Sequence, residues 1–157
     1  MFGGESAIEI ETHEGNRLGN ASGRIVGGNL SLVVDSLGTL SELNTSGKIL
    51  VLEEIDEYLY KIDRMLIQLK RAGKLSELTG LVIGYMTDIE DTELSFGETI
   101  REIVLNAVRE YDYPVAFGFP IGHENPNLSW VHGGKMIRLE NIEKFYQIGR
   151  ASCRERV

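Results

Sequence analysis

One cysteine, three prolines and one tryptophan in 157 residues leave several chemistries without raw material. The cysteine, Cys153, lies in the terminal run IGRASCRERV (148–157), which has no apolar periodicity and reads as the translation of a widely used short-read sequencing adapter. Setting that run aside as a non-native tail removes any disulfide, thiol nucleophile or cysteine-ligated metal. The domain expected to fold is 1–147. No apolar run approaches the ~20 residues that a membrane-spanning helix needs, and the opening MFGGESAIEIE has neither the basic region nor the apolar stretch of a signal peptide. A cytoplasmic setting with no membrane partner is expected. Basic residues are also scarce, 16 Lys and Arg against 24 Asp and Glu, for a formal charge of −8. Phosphate neutralisation needs a clustered basic surface, so a nucleic-acid partner is not expected. The short KRAGK (70–74) is read as cations at a helix C-terminus.

What is present is the composition of an ordinary globular domain, 42% hydrophobic and 25% charged, at a length that buries roughly 70% of the unfolded chain's surface. Period-two alternation in Ala7–Glu11 predicts a half-buried strand. A Gly- and Asn-rich loop follows, then a short strand at GRIVGG (23–28). Leu30, Val33, Val34 and Leu37 have helical spacing, with Asn29 as N-cap and Gly38 closing the segment. Lys48–Glu53 is almost continuously apolar, as in a strand covered on both faces. Ile55, Leu59, Ile62, Leu66 and Leu69, widened by Tyr58 and Met65, predict an amphipathic helix ending at Gly73. A second buried strand lies in Leu78–Met86, an acidic loop in Thr87–Glu98, a helix over Thr99–Tyr111 and a third strand over Pro114–Phe119. Leu128–Asn141 reads as a hairpin turning on Gly133 and Gly134. Strands and helices alternating at these lengths make βαβ units, hence an α/β fold: a mixed sheet with a parallel core and antiparallel additions at both ends.

In open parallel sheets, ligands collect beyond the carboxyl ends of the strands. The strand from Lys48 ends at Glu53, and the segment after the strand from Pro114 reaches His123, so a carboxylate and an imidazole seventy positions apart converge on one edge. They could be a solvated strand end and a loop histidine. The pair also suggests two members of a hydrolytic triad, the acid fixing the imidazole tautomer and the imidazole acting as general base and then acid. A nucleophile is harder to find: there is no G-x-S-x-G elbow, and Ser31, Ser36 and Ser129 fall in a helix or hairpin.

The segments GRIVGGNLSLVVDSLGT (23–39), KILVLEEIDEYLYKIDRMLIQLKRAGKL (48–75), LVIGYM (81–86) and PVAFGFPIGHENPNLSWVHGGKMIRL (114–139) together resemble the C-terminal domain of the LD-carboxypeptidases, serine peptidases of the murein-recycling and microcin-immunity type. The specific combination is GGNL, a strand ending in Leu-Glu-acid, DRML on the next helix and a glycine–histidine pair. The resemblance implies a swivelling-type C-terminal domain and a Ser–Glu–His triad whose serine lies in a separate N-terminal domain, missing here. Its Glu falls on Glu53 and its His on His123; Glu54 stands where an aspartate is common. The implied activity is release of terminal D-alanine from murein tetrapeptide, with a murein-derived peptide as partner, no cofactor, and no turnover by this chain alone. Cleavage of a peptide–nucleotide antibiotic for self-immunity is the alternative within the family, and a non-catalytic binding module the alternative outside it. A domain built to dock on another would also favour a homodimer.

The remaining signals are weaker. Gly28 and Asn29 precede a helix and could contribute to substrate binding, but Gly27–Asn29 lacks the Lys of a P-loop and the third glycine of a dinucleotide fingerprint; a tight turn near the cleft is the simpler reading. HENPN with His132 offers two imidazoles and an acid, yet Pro126 forbids the helical pairing of a zinc motif, so no metal is expected. Trp130 could line a peptide cleft or pack the hairpin.

Overall fold

Ile49, Leu50, Val51 and Leu52 are all buried to within 1% of complete exclusion, because the strand they form is central in a sheet covered on both faces. The computed structural model describes residues 6–9, 15–129, 136–140 and 144–147. Its elements among these residues run β1 Ser6–Glu9, β2 Ala21–Asn29, α1 Leu30–Asp35, β3 Ile49–Ile55, α2 Leu59–Arg71, β4 Gly80–Thr87, α3 Ile100–Ala107, β5 Val115–Ala116, β6 Met136–Glu140 and β7 Lys144–Gln147. They join one sheet in the order β1-β7-β6-β2-β3-β4-β5. β2 through β5 are parallel neighbours, and β6, β7 and β1 continue the sheet antiparallel from β2.

The parallel strands are added in chain order in one direction, so right-handed crossovers put all three helices on one face. Leu30 and Val33 of α1, Ile62, Leu66 and Leu69 of α2, and Ile103, Val104 and Ala107 of α3 share a core there with Leu50 and Leu52. Each fully buried aliphatic side chain in that layer contributes about 1.5–3 kcal/mol. The opposite face holds a smaller core of Ile49, Val51, Val82, Ala116, Phe119 and Ile121.

Helix starts follow from local chemistry. The Asn29 side chain accepts from the Leu32 N–H at 3.2 Å, as an N-cap does. Thr99 and Glu102 form a reciprocal capping box at α3. α2 has no side-chain cap; the Leu59 N–H instead donates to the Glu90 carbonyl at 2.9 Å.

The α/β class and mixed sheet are as expected, with local differences. Ile55, counted in the helical stripe, is the last residue of β3, because Asp56 takes a positive φ of 56° and Tyr58 is extended, so α2 starts only at Leu59. β2 begins two residues earlier than Gly23, paired on one side with β6. α3 stops at Ala107 rather than Tyr111, and β5 is two residues long. The antiparallel strands from both ends of the chain gather on a single edge of the sheet. The turn at Gly133 and Gly134 and the tail 148–157 lie outside the described residues. Among the described residues no helix is long and apolar enough to cross a membrane.

Candidate active site

Side chains alternate across a strand, so Glu53 follows Ile49 and Val51 to one face of β3 while Glu54 follows Leu50 and Leu52 to the helical face. At this point the pairing with β4 slips. Leu52 is opposite Ile83 but Glu54 is opposite Met86, leaving Gly84 and Tyr85 across from Glu53. Such bulges bend a strand and re-aim side chains. Beyond β5 the chain crosses over this irregularity, with the Phe119 N–H donating to the Ile83 carbonyl at 3.2 Å and the Tyr85 N–H donating to the Ile121 carbonyl at 2.8 Å. Gly84 permits the crossing, because a Cβ there would stand 2.5 Å from the Ile121 oxygen.

The crossing delivers His123 to Glu53. The ring Nδ1 lies 2.9 Å from the Glu53 Oε2. Glu53 is 7% exposed, whereas the His123 side chain is about half exposed at 48%. An ionised carboxylate can only accept, so with Glu53 as acceptor Nδ1 carries the proton of this hydrogen bond, and in the neutral ring that leaves the lone pair on Nε2. Nε2 has no hydrogen-bond partner among the described residues. A buried acid thus holds one nitrogen of a ring whose side chain is about half exposed.

The loop that carries His123 is tied by side chains that the sequence reading did not single out. The Asn127 amide donates to the Gly122 carbonyl at 2.5 Å and accepts from the Gly122 N–H at 3.4 Å. The Tyr85 hydroxyl donates to the Pro126 carbonyl at 3.1 Å, and the Thr87 hydroxyl to Glu124 Oε1 at 3.0 Å. Polar loop residues give no periodic signal, so only the fold reveals these partners.

On the helical face Glu54, 3% exposed, is saturated with donors. Its Oε1 accepts from the Asn29 amide at 2.5 Å and from the Ile55 N–H at 3.0 Å; its Oε2 accepts from the Ser31 N–H at 2.8 Å and from the Ser31 hydroxyl. Asn29 is the register partner of Glu53 across β2 and β3, but its side chain serves the α1 cap and Glu54. Gly28 lines a shallow pocket of about 260 Å³ beside α1 together with Asn29, Leu32 and Ser41. Of the sequence-predicted site residues, then, Glu53 and His123 are in contact, and Gly28 and Asn29 stand at the adjoining strand end.

Two serines have their hydroxyls engaged locally, Ser31 with Glu54 and Ser36 with the Val33 carbonyl at 2.7 Å. Among the described residues no group of three or more His, Cys, Asp or Glu side chains is arranged to hold a metal ion. Trp130, His132 and Cys153 lie outside the described residues.

Residues 22–150 match the family described as LD-carboxypeptidase C-terminal domain. A probable murein peptide carboxypeptidase of Bacillus subtilis (strain 168) is 40% identical over 121 residues, covering 74% of this chain and 37% of the relative. The crystal structure of a muramoyltetrapeptide carboxypeptidase from Oxalobacter formigenes superposes with a TM-score of 0.77 at 27% identity, covering 93% of this chain and 50% of that one. The microcin C7 self immunity protein MccF superposes with a TM-score of 0.72, covering 92% of this chain and 41% of that one; at 19% identity it speaks for the fold alone. The chain spans about two fifths of the length of the curated relatives it matches.

Proposed function

The chain belongs to the family of LD-carboxypeptidase C-terminal domains, and on that premise we propose that it supplies the Glu and His of a Ser–Glu–His triad that hydrolyses an L,D amide bond, releasing terminal D-alanine from a murein tetrapeptide. The observation that carries the reading is the 2.9 Å contact between His123 Nδ1 and Glu53 Oε2, on a histidine whose side chain is about half exposed. Glu53 holds the Nδ1–H tautomer, and Nε2 takes the proton of a serine hydroxyl as that oxygen attacks the scissile carbonyl. The imidazolium formed is stabilised by Glu53. It then gives its proton to the departing D-alanine amine, leaving an acyl-enzyme, and water activated by the same Nε2 completes hydrolysis.

The nucleophile in this reading comes from a domain outside this chain, which is why the engaged hydroxyls of Ser31 and Ser36 are assigned no chemical role. The contribution of Gly28 is through its backbone at the strand end, and that of Asn29 through the α1 cap. A murein substrate is favoured over a peptide–nucleotide antibiotic because the 40% identical relative is named for murein peptide, while the likeness to MccF is one of fold.

The test is a chimera in which this chain replaces the matching C-terminal part of the Bacillus subtilis relative, assayed for D-alanine release from an L,D-tetrapeptide. Turnover is expected, and His123→Ala is expected to lower it by about 10⁴ to 10⁶. The chain alone should release none. Release by the chain alone that His123→Ala abolishes would overturn the assignment of the nucleophile to another domain, and a folded but inert chimera would favour a binding module.

A further inference from the structure

His123 sits on a segment, Ile121 to Leu128, without regular secondary structure. No helix or strand ladder fixes its backbone, and about half of its side chain faces water. A hydrogen bond to one carboxylate orients the ring but does not fix the backbone from which it projects. The ring needs its Cα fixed as well.

Besides the Thr87 hydroxyl on Glu124, a primary amide ties the residue before the histidine. Asn127 turns back across the loop so that its Nδ2 donates to the Gly122 carbonyl at 2.5 Å while its Oδ1 faces the Gly122 N–H at 3.4 Å. A side-chain amide carries a donor and an acceptor side by side, which matches the two polar groups of one residue's backbone. Gly122 is the residue immediately before His123, and it adopts a φ of +130°. Its conformation determines where the His123 Cα–Cβ bond points. Two ties close the loop behind the clasp: the Leu128 N–H donates to the Pro120 carbonyl at 2.7 Å, and the Tyr85 hydroxyl donates to the Pro126 carbonyl.

We infer that Asn127 is a positioning residue for His123: its amide clasps Gly122, so that Nδ1 is aimed at Glu53 and Nε2 at the reacting hydroxyl. Without the clasp the loop regains backbone freedom, the ring rotates off Glu53, and the tautomer is no longer fixed. The consequence for turnover rests on the carboxypeptidase reading; the consequence for the tautomer does not.

The test has two arms. In the 157-residue chain labelled with ¹⁵N-histidine, the His123 resonances are assigned by their loss in His123→Ala, since His13 and His132 also report. The unsubstituted chain is expected as the Nδ1–H tautomer. In Asn127→Ala, and equally in the isosteric Asn127→Asp, which lacks the donor, the Nε2–H share should rise severalfold. In the chimera, Asn127→Ala should lower kcat by about 10- to 100-fold with KM changed less than about twofold, the size expected for misplacement of a catalytic group by ~1 Å. If Asn127→Ala proves poorly folded, Tyr85→Phe, which loses only the bond to Pro126, is expected to move the tautomer in the same direction and by less. An unchanged tautomer in folded Asn127→Ala, or in Tyr85→Phe where that variant is needed, overturns the inference. An inert chimera with a shifted tautomer leaves the clasp standing and counts against the hydrolase reading instead.

Discussion

Glu53 and Glu54 are adjacent in the chain and both buried, at 7% and 3% exposure, yet they face opposite sides of β3 and meet different partners. Glu53 meets one imidazole nitrogen; Glu54 meets Asn29, both donors of Ser31 and its own next amide. On the proposed triad, Glu53→Gln keeps an oxygen for Nδ1 but loses the charge that would stabilise the imidazolium, so turnover of the chimera should fall by about 10⁴ with little change in unfolding. Glu54→Gln exchanges one accepting oxygen for an NH₂ that must face a donor, so it should lower stability by about 1–3 kcal/mol in urea unfolding, with a mild effect on turnover. Equal turnover losses at both positions would reverse the assignment.

The residue before His123 is under a double constraint. A Cβ on Gly122 would stand 3.2 Å from both Glu53 Oε2 and Tyr85 Cβ, and φ is +130°, a region that L side chains avoid. Gly122→Ala is therefore expected to push the loop away from β4 and separate His123 from Glu53. The chimera carrying it should lose about 10²-fold in kcat, with the His123 ¹⁵N resonances moved from the Nδ1–H pattern. Unchanged kcat with unchanged resonances would mean that the loop absorbs the methyl group without moving the ring.

Helix α3 connects β4 to β5, from which the histidine loop departs, and its start is secured by Thr99. The Thr99 hydroxyl accepts from the Glu102 N–H, and Glu102 Oε2 accepts from the Thr99 N–H at 2.8 Å. Thr99→Ala should cost about 1 kcal/mol, read as a lower urea midpoint with an unchanged slope. Thr99→Ser, which keeps the acceptor, should recover most of it.

How far the sequence reached depends on whether a feature is local. The apolar run of β3, the Leu59–Leu69 stripe and the Asn29 cap announce themselves because their signals lie within one element. Ile55 has helical spacing to Leu59 yet belongs to β3, and nothing in that spacing reveals that Asp56 takes a left-handed turn between them. β5 is shorter than its apolar run because Phe119 and Ile121 continue along β4 through single hydrogen bonds rather than a ladder. The gathering of β1, β6 and β7 on one edge is a long-range choice with no periodic signature. Glu53 and His123 were legible as strand-end residues, whereas Asn127 and Tyr85 became visible only through their partners.

Tyr113 offers a test of the core at high pH. Its ring is 9% exposed, its hydroxyl has no hydrogen-bond partner among the described residues, and the Arg17 guanidinium lies 5.4 Å from the ring centroid. Burial pushes the phenol well above its ordinary value, outweighing the nearby Arg17 charge. The folded state then keeps the proton where the unfolded chain releases it, so the unfolded state binds fewer protons and stability falls as pH rises. The loss starts near the ordinary tyrosine value of about 10 and proceeds at about 1.4 kcal/mol per pH unit towards the folded value. Tyr113→Phe removes this contribution and also removes a buried hydroxyl without a partner, so it should be close to neutral at pH 7. Urea midpoints of the two proteins should coincide near neutrality and diverge above pH 10, with the parent falling faster. Parallel curves across that range would mean that the phenol ionises in place and that water reaches the interior between α3 and β5.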